Sequence, residues 1–314
     1  MAYLTVTDAI CYHDGHDSLK PSAKRPIHSV DLFGDDAEYR KKRIIRVTDT
    51  GFSENVLFDQ DKMISAILQR PEFQKKMTTT ERNYLFGKYY AAQESAFTVA
   101  PGLLSACMRN EMPVFVGAAA DGSGFLNSVK LWALKQLGDK RLAEYAFDYD
   151  LHADVFESCA YHYWGLFQSE AKALAILILG GGVPKNYSLQ PEPTLSQIFL
   201  LPDIRGYDYD VQIVSSPVTD GSLSSCFPSE AVSWGKVNPE TYRRTTESMQ
   251  ADYSMVMPFI VRALVEDPAL EKRPQLQLYQ KREELVANLF AAIEKQRGKL
   301  RKTIDFPLQL VARA

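Results

Sequence analysis

Several things that would place this chain in a familiar class are scarce or missing. Four cysteines, Cys11, Cys107, Cys159 and Cys226, are few for 314 residues and form no C-x-x-C pair. Their wide spacing reads as a reducing, cytoplasmic home. The most apolar run, ALAILIL over 173–179, is far too short to cross a bilayer. The opening MAYLTVTDAICYHDG lacks a basic segment followed by a long apolar one, so no secretory signal is expected. Positive charge is not in excess either: 36 Lys and Arg against 39 Asp and Glu give a formal charge of -3. That balance gives no electrostatic reason to expect nucleic acid or an anionic membrane as partner. No G-x-S-x-G elbow is present, and none of the five histidines lies beside a plausible nucleophile, which leaves no serine triad. Neither repeats nor a flexible linker mark a boundary, so residues 1–314 read as one domain.

What is present suits a full core, with 46% hydrophobic residues. LTVT reads as a strand, and ICYHDGHDS leads into a loop with Pro21 and Pro26. The HDGHD cluster (His13, Asp14, His16, Asp17) has no second ligand group to complete a metal shell. DDAEYRKKR is a solvated charged face, and ENVLFDQDKMISAILQ a helix ending before Pro71. TTTERNYLFGKYYAAQESA opens like a capping box, with threonines before Glu81. After a helix at GLLSACMRN, the apolar strand in MPVFVGAAADGSG runs into a loop carrying Asp121. Further on, LAEYAFDYD, the buried-strand candidate AKALAILIL, YDYDVQIVSS and a weak stretch near Ser248–Asp252 read as strands between helices. Near the end, Leu285, Leu289 and Ile293 form one stripe of a long charged helix. Alternating strands and helices predict an α/β fold: a Rossmann-like, doubly wound, mostly parallel sheet with helices on both faces, its ligand residues at the carboxyl ends of the strands.

One stretch, TDGSLSSCFPSEAVSWGKV over 219–237, collects two carboxylates, five serines, a tryptophan and Lys236 in a segment too irregular for a core strand. A lysine is a nucleophile only as the neutral amine, and burial against groups such as Trp234 lowers its pKa toward that form. Lys236 is thus a candidate imine-forming residue; a solvated lysine after a turn is the other reading. Asp220, Glu230 and Trp234 suit a cationic amine, because carboxylates pair with ammonium groups and an indole face attracts them. The triplet Gly180, Gly181 and Gly182 after an apolar strand allows close approach of a phosphate, or is a simple strand-ending turn. Asp121 and Asp252, each after a strand, are ribose-hydroxyl acceptors or turn aspartates.

At these residues the chain resembles the deoxyhypusine synthase family. SEAVSWGKV is similar to that family's EAVSWGK segment, and LGGGVPKN to its glycine-rich NAD loop. RPEFQKKMTTTERNYLFGKY and PVFVGAAADGSG look like the bacterial branch, whose members include homospermidine synthases. The resemblance implies an NAD-dependent transfer of a 4-aminobutyl group between polyamines such as putrescine and spermidine, by way of an imine on Lys236. It implies that Gly180, Gly181, Gly182, Asp121, Asp220, Ser222 and Asp252 hold NAD. Glu230, Trp234, Lys185 and Asn186 would line the polyamine site. It further implies a homotetramer with sites at dimer interfaces.

Some positions depart from the family pattern. Asn186 follows Lys185 where deoxyhypusine synthases have histidine, and Leu223 and Leu126 stand where they have polyamine-anchoring aspartates. SSCF (Ser224 to Phe227) replaces a small-residue SGAT segment, and LTVTDAICYHDG lines up with the family's second strand, so that its first βα unit looks absent. Asn186, the lost aspartates and the GGxPKN pattern of the bacterial branch imply a small diamine acceptor, that is, homospermidine formation. The SSCF segment and the absent unit leave open an active enzyme, an inactive relative or a subunit completed by another chain. The alternatives are deoxyhypusine synthesis on a protein lysine and a catalytically inactive relative.

Overall fold

The computed structural model describes residues 1–18, 27–271, 273 and 275–305, so Pro21 and Pro26 lie outside the described residues. The chain is α/β and divides into two compact units, Met1–Asp154 with Gln275–Tyr279, and Val155–Pro274 with Gln280–Ala314. In the first, β1 (Leu4–Val6) leads into α1 (Asp8–Asp14), so that the stretch ICYHD is helical and not the approach to a loop. Three short strands, β2 (Ile27–Ser29), β3 (Ile44–Val47) and β4 (Thr50–Ser53), make an antiparallel sheet in the order β2-β4-β3, with the exposed helix α2 (Asp36–Lys41) between β2 and β3 in the chain. Then follow α3 (Glu54–Leu68), β5 (Lys76–Met77), α4 (Thr79–Phe97), α5 (Leu103–Arg109), β6 (Val114–Val116), α6 (Ser123–Gln136) and β7 (Asp148–Tyr149). The start of α4 is set by a reciprocal capping box: the Glu81 amide donates to Thr78 Oγ1, and the Thr78 amide donates to Glu81 Oε2, each at 3.3 Å. β1 pairs with β6 and β5 with β7, both parallel. Ile64, Leu68, Phe73, Phe86, Tyr90 and Val114 belong to one buried cluster that fills this unit.

The HDGHD cluster acquires structural roles here. Both carboxylate oxygens of Asp14 accept the amides that open α5, from Leu103 at 2.6 Å and Leu104 at 2.8 Å. His13 and His16 pack edge to face at 4.8 Å. Among the described residues no group of three His, Cys, Asp or Glu side chains is placed to hold a metal.

Helix α7 (Leu151–Phe167) leads into the second unit, whose frame is a parallel sheet of β8 (Ala175–Leu179), β9 (Tyr209–Val214) and β10 (Thr246–Gln250), with β9 central. Between β8 and β9 lie α8 (Val183–Leu189), the single turn α9 (Pro191–Pro193) and a π turn over Thr194–Ile198. A 3-10 turn over Pro228–Trp234 and α10 (Tyr242–Thr245) precede β10; α11 (Tyr253–Glu266), α12 (Pro268–Glu271), α13 (Leu278–Glu294) and α14 (Arg297–Thr303) follow it. Leu285 and Leu289 on α13 are buried, as their spacing predicts. The apolar run in β8 is not the buried strand its composition implies. Leu177 and Leu179 are 47% and 39% exposed and only Ile178 is buried, because alternate side chains leave the sheet on opposite faces. No helix among the described residues is long and apolar enough to cross a membrane.

Candidate active site

In the second unit, the loops leaving β8, β9 and β10 all start at the carboxyl edge of one parallel sheet, the edge where α/β proteins gather ligand residues. Gly180, Gly181 and Gly182 leave β8 with φ of +83°, +135° and +79°. That succession is closed to residues with a β-carbon. At Gly181 a Cβ would also sit 2.8 Å from the Ser224 Cα, so the triplet packs directly on the backbone of the loop after β9. In that loop the Asp220 carboxylate accepts the Ser222 amide at 2.7 Å. Hydrogen bonds from Ser225 and Ser222 hold its pKa below the usual carboxylate range. After β10, Asp252 caps α11 by accepting the Ser254 amide at 2.8 Å, and its pKa is lowered for the same reason.

Lys236 is anchored by its backbone. Its amide donates to the Ala231 carbonyl at 3.1 Å, and its carbonyl accepts from the Tyr207 amide at 3.0 Å. Gly235, with φ of +80°, ends the 3-10 turn in the left-handed region and turns the chain toward that clamp. The Lys236 ammonium lies over the Trp234 ring, 5.6 Å from its centroid, and donates to Asn186 Oδ1 at 3.3 Å. Lys236 is part-buried, and burial lowers its pKa from the ordinary lysine value. Trp234 is 61% exposed and Glu230 is also exposed, so this wall of the site is open to a ligand.

Lys185 lies beneath this surface. It is buried, and its Nζ donates to Gln212 Oε1 at 2.7 Å and to the Cys226 carbonyl at 2.6 Å, tying α8 to β9 and to the residue that precedes Phe227. Its pKa is lowered by burial. Since Asn186 is the next residue, fixing Lys185 also fixes the acceptor that meets Lys236. Of the residues named from sequence, Gly180, Gly181, Gly182, Lys185, Asn186, Asp220, Ser222, Glu230, Trp234, Lys236 and Asp252 all belong to the second unit. Asp121 belongs to the first, in a 3-10 turn over Ala119–Asp121 after β6.

Two acids in the second unit were missed from sequence. Asp210 on β9 is fully buried, neither of its oxygens accepts a hydrogen bond, and burial raises its pKa to about 6, with Lys185 as the opposing charge. Glu192, in α9, is 5% exposed, its Oε2 accepts no hydrogen bond, and burial raises its pKa. The available signals were a carboxylate between two prolines and an acid at an inward position of a strand.

Residues 2–264 match the family model for deoxyhypusine synthase. A deoxyhypusine synthase-like protein of Nostoc punctiforme is 33% identical over 91% of this chain and 69% of its own. One of Thermosynechococcus vestitus is 32% identical over 91% and 68%. A probable deoxyhypusine synthase of Pyrococcus furiosus is 26% identical over 76% and 65%. A match of this extent, with the triple-glycine turn and the lysine segment in one unit, shows that the chain belongs to the deoxyhypusine synthase family.

Proposed function

We propose that the protein is an NAD-dependent transferase that moves a 4-aminobutyl group between small polyamines, as in homospermidine synthesis, with Lys236 as the covalent carrier. The observation that carries this reading is the Lys236 amine, part-buried, facing an indole and bonded to an amide oxygen instead of a carboxylate. A neutral acceptor leaves the amine free to lose its proton, whereas a close ion pair would hold the ammonium form. Three glycines with positive φ at the carboxyl end of a parallel strand present bare backbone of the kind a pyrophosphate can approach. Gly180 to Gly182, Asp220, Ser222 and Asp252 would hold NAD. When bound, NAD supplies the uptake and return of one hydride.

The side chains of this protein do the rest. Glu230 and Trp234 receive the cationic amine by charge and by the ring face. Lys236 attacks the carbon of the substrate imine, the C–N bond to the departing amine breaks, and the four-carbon fragment stays on the lysine as an imine. An acceptor amine then attacks that carbon and Lys236 leaves. Leu223 is 44% exposed and offers no carboxylate to a long polycation. With Asn186 after Lys185, this favours putrescine as acceptor. We assign the site to a homotetramer with sites between subunits, in the cytoplasm. Probable deoxyhypusine synthases among the archaeal relatives favour a second reading, transfer to a protein lysine.

Incubation with NAD and spermidine followed by borohydride tests the carrier. A mass increase on the peptide containing Lys236, lost in Lys236→Arg, is expected. No adduct with any polyamine defeats the proposal, and labelling of a translation-factor lysine in preference to putrescine selects the second reading.

A further inference from the structure

Imine chemistry at a lysine needs a group that removes the ammonium proton before attack and restores it on release. The Glu192 carboxylate lies flat against Gly235, the residue before Lys236: a Cβ built there would sit 2.6 Å from Oε2 and 2.9 Å from Cδ and Oε1. Thus the left-handed glycine serves both the turn and the approach of this acid. Oε2 is buried without a hydrogen-bond donor, so it keeps a lone pair unused in the interior. We propose that Glu192 is the proton acceptor for Lys236, an inference that rests on the reading of Lys236 as the nucleophile. The step is a proton transfer alone: the Nζ–H bond breaks, its electron pair stays on nitrogen, and the proton joins Glu192. Rotation of the long lysine side chain carries Nζ between Asn186 and the acid. The groups facing Lys236 are Cys226 and Glu192; Glu192 faces Lys236 and the Ser196 hydroxyl, and Cys226 faces Lys185 and Glu230. Glu192 is thus the carboxylate packed against the residue before Lys236, and burial raises its pKa, which favours its holding a proton.

Reductive alkylation with a simple aldehyde and cyanoborohydride, followed across pH by mass spectrometry, reads the neutral fraction of Lys236 without turnover. Exposed Lys172 on the same chain serves as reference. In Glu192→Gln the Lys236 midpoint should fall by roughly one pH unit, a roughly tenfold rise in labelling below it, because a nearby negative charge has been removed. Glu192→Asp keeps the charge but withdraws it by one methylene, and should move the midpoint the same way by less. Despite the more reactive lysine, aminobutyl transfer should fall in Glu192→Gln. An unchanged midpoint in whichever variant folds overturns the proposal. If the midpoint moves but neither wild type nor variant transfers an aminobutyl group, the pairing of Glu192 with Lys236 stands and the proposed reaction fails.

Discussion

The tripeptide Asp-Gly-Ser occurs in both units, as Asp121-Gly122-Ser123 and as Asp220-Gly221-Ser222, and the two copies need their glycine for opposite reasons. In the first, Gly122 has φ of -93°, open to any residue, but a Cβ there would lie 2.1 Å from the Asp8 Cβ. Gly221 has φ of +73°, and a Cβ there would meet nothing within 4 Å. The first loop is welded to a core; the second is held in shape by its own backbone and by bonds inside the loop. Asp220 and Ser222, bonded within the loop, can change those contacts when a ligand arrives, while Ser224 and Cys226 stay tied to Gly181 and Lys185.

The weld itself gives the largest expected effect. Asp8 and Arg82 are both buried and pair at 2.5 Å; the other Asp8 oxygen accepts the Gly124 amide at 2.8 Å, and Arg82 also donates to Asn83. Breaking such a pair from one side strands a charge in the interior and costs about 3–5 kcal/mol. Arg82→Met should therefore show that loss in urea denaturation, and a loss no greater than that of an exposed ion pair would remove the distinction between the loops. Next in size is Gly122→Ala, where the new methyl must push Asp8 away from Arg82, at about 1–3 kcal/mol by the usual cost of overpacking. Its thermal midpoint should fall with no change in the reactivity of Lys236.

Much of the second unit was legible because its chemistry sits in contiguous stretches. Gly180 to Asn186 and Glu230 to Lys236 are each a single segment, and the distance from Lys236 to Asn186 joins them. The capping box at Thr78 and Glu81 was readable for the same reason, both partners lying within one turn. Long-range packing was not. Nothing local to Glu192 says that it rests on a glycine 43 residues later, and nothing in ALAILIL says which face of the strand is covered. The sheet of β2, β3 and β4 escaped because strands of three or four residues give too few alternations to register. Asp8, four residues after a strand start, gave no sign that it would pair with Arg82 through the core.

Gly221→Ala should be the mildest change of the series, about 1 kcal/mol, the cost of placing an L-residue in the left-handed region with no steric clash to add. Gly221→Asn should cost less, since asparagine tolerates that region. The comparison is sharpened by adding NAD. If the loop after β9 gives Asp220 and Ser222 to the dinucleotide, alanine at 221 shifts the Asp220 carboxylate away from the Ser222 amide and weakens NAD binding by more than it weakens folding. Calorimetric titration beside urea denaturation measures both quantities on one sample. Equal costs for Gly122→Ala and Gly221→Ala would mean that the second loop is packed as firmly as the first, and its independence from the core would have to be given up.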